Sequence, residues 1–450
     1  MNIVVVGGGK VGTALVEQLS NEKHDITVVD TNPKVLADIS NRYDIVCVCG
    51  NGAAYPVQKQ AGMDKADLII ATTSSDERNI LCCMVAGQIG VKYTIARVRN
   101  PEYASHMEYL QSNLKLSMYI NPELEAAKEI QRILRFPAAI RVNPFMHDRV
   151  EMIEIVLHEG NPLTGLTLIE MKNRYREDIL VCAVSRDKKS YIPNGSFVLR
   201  EGDHVILIGS PADLNTFTKE LNPSIRKVKN VMIIGGSRIA HYLADMLTER
   251  GVHTKIIDCD EKRCLELSDQ MGDTRIICGD ARDRELLQEE GIEKMDAFIS
   301  LTGLDEENII ASMYASSCGV PKIISKISDR DMASMVSRLG LDIVISPKTL
   351  TADLIIRFVR SVEYADGNDF KTLYTISGGR IEVMEYLVDG DLPFLGKPLS
   401  ELKIRTGILI ACIVRNGQPI IAGGSTSIEV GDNVIVVAPK GHIKSLSDIL

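Results

Sequence analysis

Apolar runs of four or five residues alternate with longer segments in which apolar residues recur every three or four positions. In the first part of the chain the runs fall at 3–6, 26–29, 45–49, 67–71 and 94–98, lengths that predict buried strands. The segments between them have helical periodicity, and after the first run Val11, Leu15 and Leu19 share one helix face. Strands that alternate with helices imply right-handed crossovers and a parallel sheet. Pro122 is suited to open a helix, Ala126, Ile130, Ile133 and Leu134 give it an apolar stripe, and Pro137 ends it. That helix is a candidate crossover between paired units; the alternative for its stripe is ordinary core.

From about residue 148 the pattern shortens. Met152–Val156, Ile179–Val184 and Val205–Ile208 read as strands, with turn signals at Pro193-Asn194-Gly195 and Gly202-Asp203, which predicts a small β-rich domain. The segment Leu221–Asn230, with Pro223 and three basic residues, reads as a linker. The order then recurs: strand-like runs at 231–234, 254–257, 275–278, 297–301 and 322–327 precede a β-rich tail from about 371. The expected units are 1–137, 138–222, 229–360 and 368–450.

This recurrence is a duplication, and repeats of this length set the whole fold. The first run leads into Gly7-Gly8-Gly9-Lys10-Val11-Gly12 and the second strand ends at Asp30. The later copy reads Gly235-Gly236-Ser237-Arg238-Ile239-Ala240, with Asp258 ending its second strand. Gly7 and Gly235 are 228 positions apart, and so are Asp30 and Asp258. Further stretches match, Thr73-Ser74-Ser75-Asp76-Glu77-Arg78-Asn79 with Thr302-Gly303-Leu304-Asp305-Glu306-Glu307-Asn308, and Gly202-Asp203 with Gly431-Asp432. The fold class is α/β: two tandem Rossmann-like parallel-sheet domains, each followed by a small β-rich (α+β) domain.

A strand, a glycine loop, a helix and an acid at the end of the next strand form a dinucleotide fingerprint. Gly7 is expected to make the tight turn, Gly9 to let the pyrophosphate approach the backbone, and Gly12 to allow close packing of the helix. Phosphates then meet unpaired amides at a helix N-terminus. Asp30 accepts from a ribose 2′-hydroxyl and disfavours a 2′-phosphate, which selects NAD(H) or an adenine nucleotide. In the second copy Ala240 is tolerated, but the Ser237 side chain stands where the pyrophosphate would lie; Asp258 keeps the ribose function. Gly50, Asn51, Thr73, Ser74 and Arg97 end strands on the same rim, as do Gly279, Asp280, Thr302, Gly303 and Lys326. Ser74-x-x-Glu77 also fits a capping box, and helix cap and ligand contact both remain open for it.

Composition narrows the picture. A net charge of -9 argues against nucleic acid or an anionic membrane as a general partner. The run Ile408–Val414 falls far below the roughly 18 residues of a membrane helix, and with Met1 followed at once by a strand a cytosolic protein is expected. The ten cysteines include no C-x-x-C pair and read as reduced apolar residues. The histidines are scattered, so no metal site is expected. A dehydrogenase needs an acid or base presented to the nicotinamide, and neither β-rich segment offers such a cluster; no catalysis is expected.

The doubled glycine motif, the Thr-Ser-Ser-Asp turn, Ile95-Ala96-Arg97-Val98-Arg99 and the Gly-Asp turn before the last β-domain strand resemble the TrkA family over essentially the whole chain. The resemblance implies two tandem regulator-of-K⁺-conductance units. It also implies NAD(H) or ATP/ADP in the α/β lobes and regulatory C-terminal subdomains. The expected partner is a membrane potassium-conducting Trk/Ktr-type subunit beneath which the units form a homo-oligomeric ring, peripheral to the inner face of the plasma membrane. The site carried over is Gly7, Gly8, Gly9, Lys10, Val11, Asp30, Gly50, Asn51, Thr73, Ser74 and Arg97. Its second-half equivalent is Gly235, Gly236, Ser237, Arg238, Ile239, Asp258, Gly279, Asp280, Thr302, Gly303 and Lys326. The competing expectations are an NAD-dependent oxidoreductase and a soluble regulator of another cation transporter.

Overall fold

In the computed structural model, strands β1 (Asn2–Val6), β2 (Asp25–Asp30), β3 (Val46–Cys49), β4 (Leu68–Ala71), β5 (Tyr93–Arg97) and β6 (Met118–Ile120) form one parallel sheet. Its order is β3-β2-β1-β4-β5-β6. The structure describes residues 1–450 apart from 23, 101–102, 104–106, 115, 137, 147, 188, 223–226, 338, 342, 365–369, 391 and 444. The stop expected at Pro137 and the centre of the Leu221–Asn230 linker lie outside the described residues. β1 is buried on both faces from Ile3 onward, as a central parallel strand requires.

An antiparallel sheet follows, built from β7 (Arg141–Phe145), β8 (Val150–Val156), β9 (Ile179–Arg186), β10 (Lys189–Tyr191) and β11 (His204–Gly209) in the order β10-β9-β11-β8-β7. The second half repeats both. Strands β12 (Asn230–Ile234), β13 (His253–Asp258), β14 (Arg275–Cys278), β15 (Ala297–Ser300), β16 (Ile323–Lys326) and β17 (Val344–Ile345) form a parallel sheet in the order β14-β13-β12-β15-β16-β17. β18 (Phe370–Ile376), β19 (Ile381–Leu387), β20 (Leu409–Arg415), β21 (Gln418–Ile421) and β22 (Asn433–Pro439) form the last sheet, β18-β19-β22-β20-β21.

Four strands outside the β-rich tail escape the sequence pattern. β6, β10 and β17 are too short to carry an alternation. β7 contains Pro144, which is admissible because β7 lies at a sheet edge. The β-rich domain also holds helices at Leu168–Arg174 and Pro211–Leu221.

The helix Pro122–Arg135 forms as its sequence suggests, with Asn121 capping the Leu124 amide at 3.0 Å. Its stripe is buried, but against the other half: Ala126, Ala127, Ile130, Ile133 and Leu134 share one apolar cluster with Ile239, Ala240, Leu243, Ala244 and Leu247 of the helix Arg238–Thr248. The exchange is reciprocal. Ala352, Ile355, Ile356 and Val359 of the helix Pro347–Tyr364 pack with Val11, Ala14, Leu15 and Val16 of the helix Lys10–Ser20. Alanines at both crossings let the helix axes approach. The buried Lys322 of the second lobe donates from Nζ to the carbonyls of Phe136 and Ala139 beyond the end of the first crossover helix. The two antiparallel sheets meet face to face through Met152, Cys182, Ala183, Ile206 and Ile208 on one side and Val383, Ala411, Cys412, Ile435 and Val437 on the other.

Candidate functional site

β1 delivers the chain into a turn that only glycine accommodates. Gly7 has φ +105°, and a Cβ there would lie 2.9 Å from the backbone of Thr72 and Thr73. Gly12 is equally constrained for another reason: its Cβ would lie 1.9 Å from the Gly7 carbonyl oxygen. The closeness it permits is therefore between the helix and its own loop, before any contact with the sheet. Gly9 faces open space and caps the helix Lys10–Ser20 without a side-chain acceptor, which leaves the amides of the first turn available to an anion. Lys10 is exposed, whereas the Val11 side chain is buried, so Val11 offers only its amide.

Asp30 is engaged before any ligand arrives. Its Oδ2 accepts from the Gly8 amide at 2.7 Å and its Oδ1 from the Asn32 amide at 2.8 Å, so it braces the glycine loop while keeping a lone pair on each oxygen for a hydroxyl. Gly50 donates to the Asp30 carbonyl at 2.9 Å, and the exposed Asn51 uses its Oδ1 to accept from the Ala53 amide at 3.1 Å.

The opposite rim is organised by a residue with no role in the sequence reading. Asn79 is fully buried, accepts from the Thr73 amide and hydroxyl at 2.7 Å each, and donates to the Arg97 carbonyl at 2.8 Å. It ties the ends of β4 and β5 together. The guanidinium of Arg97 then reaches back to the Thr73 carbonyl at 2.6 Å. Asn308 repeats this between Thr302 and Lys326, accepting at 2.9 Å and donating to the Lys326 carbonyl at 2.9 Å. The available signal was that both asparagines close the matched heptapeptides. The capping box expected from Ser74 to Glu77 does not form: Ser75 is the cap of the helix Asp76–Ile89, accepting from the Arg78 amide at 3.2 Å and donating to Glu77 at 2.7 Å. Ser74 is exposed, and its carbonyl accepts from Arg99 at 2.7 Å.

In the second half Gly235 makes the same turn at φ +90°, and the Gly236 amide donates to Asp258 Oδ2 at 2.5 Å. Ser237 departs from Gly9 in a defined way. It is the helix cap, and its hydroxyl accepts from the Ala240 amide at 3.4 Å, occupying a donor that the first loop leaves open. Around this loop lies a cavity of about 950 Å³. Gly235, Ser237, Asp258, Gly279, Asp280, Thr302, Gly303 and Lys326 line it, with Ile310, Met313 and Tyr314 as an apolar wall. Gly236, Arg238 and Ile239 are not part of this lining: Gly236 and Ile239 are buried and Arg238 points outward. Asp280 is held in a two-pronged pair by Arg282 at 2.7 and 3.0 Å, and that guanidinium keeps its carboxyl down at about 2. Arg263 donates to the Gly236 carbonyl at 3.2 Å across the same opening.

The two sites face a common boundary. Tyr242, on the helix that starts at the second glycine loop, donates to the Arg99 carbonyl at 3.4 Å and accepts from Asn121 at 3.1 Å. Burial lowers the pKa of Lys326, and the charge of Lys10 from the first loop acts in the same direction, against Asp305 and Glu123. Burial likewise lowers Arg97, with Arg99 adding to the shift and Glu123 and Asp76 opposing it. Among the described residues, no three or more His, Cys, Asp or Glu side chains are placed to hold a metal ion, and no helix is long and apolar enough to cross a membrane.

The TrkA-N domain model matches residues 3–122 and 231–347, and the TrkA-C domain model matches residues 152–222 and 383–450. The Trk system potassium uptake protein TrkA of Vibrio alginolyticus is 30% identical over 443 residues, 97% of this chain and 95% of that protein. The protein of the same name from Halomonas elongata is 32% identical over 453 residues, 99% of this chain and 98% of its own. The crystal structure of the GsuK RCK domain superposes with a TM-score of 0.66 at 20% identity, covering 98% of this chain and 92% of that one. The GsuK channel bound to NAD gives 0.65 at 20% identity, covering 98% and 77%. At these identities the solved structures share the fold, two parallel-sheet lobes each followed by an antiparallel sheet. With both domain models matched twice in tandem and curated relatives alike from end to end, the chain belongs to the TrkA family.

Proposed function

We propose that the chain is a cytosolic nucleotide-sensing regulatory subunit of a Trk-type potassium uptake system, peripheral to the membrane through its partner. The lobes 1–137 and 229–360 bind NAD(H) or ATP/ADP. The β units 138–222 and 368–450 are the regulatory subdomains, and a homo-oligomeric ring acts on a separate membrane K⁺-conducting subunit. The names of the relatives support the potassium assignment. NAD and ADP bound to GsuK support the ligand class, and the phosphate loops Gly7–Val11 and Gly235–Ile239 with Asp30 and Asp258 are the residues proposed to receive it.

The observation that carries this reading is that each glycine loop is braced by its strand-end acid, Asp30 on the Gly8 amide at 2.7 Å and Asp258 on the Gly236 amide at 2.5 Å. Tyr242, on the helix that follows the second loop, bonds Arg99 and Asn121 of the first lobe, so the affinity of an anionic ligand at either loop would depend on how the lobes are set against each other. Such a difference in affinity is what lets a ligand shift a conformational balance. The shift would reach the membrane subunit through the ring.

Calorimetric titration of ADP, ATP, NAD⁺ and NADH into wild type, Asp30→Ala and Asp258→Ala tests the sites. Losing a charged acceptor is worth about 1.5–3 kcal/mol, tenfold or more in Kd. Unchanged binding of all four ligands to Asp30→Ala would reject the first site. Potassium flux through the reconstituted complex that ignores nucleotide would reject the regulatory role.

A further inference from the structure

Beside the second cavity lies a pair of cysteines that the nucleotide site does not use. Cys278 ends β14, in register with Asp258 of β13. Cys264 sits on the helix Glu261–Gln270, and its Sγ lies 3.3 Å from the Asp258 carbonyl oxygen and 3.9 Å from that of Ile277. Strand alternation puts Cys278 on the same side of β14 as Ile276. Ile276 packs against the cluster that contains Leu267 and Met271 at the end of this helix, and Leu267 shares the helix face of Cys264. The two thiols therefore lie on facing sides of the helix and β14, with Cys264 Sγ 3.9 Å from the carbonyl oxygen of Ile277, the residue before Cys278. Cys278 is exposed, whereas Cys264 is buried.

The first half lacks the pair. Cys49 occupies the place of Cys278, in register with Asp30, but the position four residues after the helix cap is Leu36. The dithiol thus belongs to one copy of the duplication, the copy whose phosphate loop also departs from the all-glycine form.

We propose that Cys264 and Cys278 form a peroxide-oxidisable dithiol that locks the helix Glu261–Gln270 onto β14 at the edge of the second cavity. The exposed Cys278 thiolate attacks hydrogen peroxide, breaking the O–O bond to give a sulfenic acid and hydroxide. Cys264 then attacks that sulfur; the S–S bond forms, the S–O bond breaks, and the leaving hydroxide takes the Cys264 proton as water. Two thiols and one peroxide become one disulfide and two waters. Burial, with the Cys278 thiol beside it, pushes Cys264 up to about 11, which keeps it protonated and leaves the first attack on peroxide to the exposed Cys278. Disulfides in reducing compartments are characteristically transient and sensory. Oxidation would remove the Cys264 hydrogen bond to the Asp258 carbonyl and fix the helix start that carries Arg263. Its effect on ligand affinity rests on the nucleotide reading above; its formation does not.

The test is peptide mapping of the intact protein after hydrogen peroxide, with free thiols blocked before digestion. The expected product is a cross-linked peptide pair containing Cys264 and Cys278, reversible by dithiothreitol, with Cys49 alkylated as a single thiol. It should be absent in Cys264→Ser and in Cys278→Ser and retained in Cys259→Ser. A cross-link through Cys259 instead, or full alkylation of Cys264 and Cys278 after peroxide, overturns the proposal. ADP titration of the oxidised and reduced forms of Asp30→Ala, in which the second site is read alone, is expected to differ by about tenfold or more. A mapped disulfide with no ADP binding in either redox state would reject the nucleotide reading and leave the dithiol standing.

Discussion

Asn79 and Asn308 are wholly buried, and each uses its amide to satisfy backbone groups at the ends of two neighbouring strands. Asn79→Ala would strand the Thr73 amide and the Arg97 carbonyl in the interior, at a cost of about 1–3 kcal/mol. The expected outcome is a lower urea midpoint with an unchanged slope, together with weaker nucleotide binding at the first site. A variant with wild-type midpoint and wild-type affinity would show that the rim is held by other contacts. At this scale the glycines and terminal acids were legible in the sequence, because a backbone that needs φ near +105° at Gly7 admits few other residues. Asn79 was visible only as a repeated letter. Its role depends on two strand ends that are adjacent in space and 24 residues apart in the chain.

Among the elements, the helix Pro347–Tyr364 carries a second kind of contact besides its apolar stripe. Arg360 is buried between Glu22, at the end of the first lobe's initial helix, and Glu382 of β19, with 3.0 Å to the latter. Burial alone would raise the Glu22 carboxyl. Hydrogen bonds from His24 and Arg360, with the charges of Arg360 and Lys440, outweigh it and hold the group down at about 2. A carboxyl depressed on folding adds stability above its unfolded value of 4.5 and loses it as pH falls toward 2. Glu22→Gln is therefore expected to be less stable than wild type at pH 7, by an amount on the order of 3 kcal/mol. The gap should close as pH falls from 4.5 to 2, as read by denaturant unfolding across that range. A gap independent of pH would assign the loss to packing. The periodicity of the crossover helices was readable in sequence, but an apolar stripe does not name the surface that covers it. That is why Ala126, Ile130 and Ile133 fitted core and crossover equally until the second half was in place.

For the molecule as a whole, the reciprocal helix exchange and the facing antiparallel sheets make each half depend on the other. A chain ending near residue 222 would expose the stripe of Pro122–Arg135 and the sheet face containing Met152, Ala183 and Ile206. Its own helix Lys10–Ser20 would also be left uncovered. The first half alone is expected to pair with a second copy of itself, each crossover helix taking the place of Pro347–Tyr364 on its partner. Light scattering coupled to size exclusion would report a dimer. A well-folded monomer would show that the exchanged helix can close back on its own lobe.

The exchanged helices also have a historical consequence. Two identical polypeptides that trade a helix are bound by symmetry, so any change in one binding loop appears in both. Once the pair is joined in a single gene, each loop can drift by itself. Gly9 and Ser237 have already parted in this way, as have Leu36 and Cys264. Joining the two in one chain fixes the loops in a one-to-one ratio and lets each change without the other.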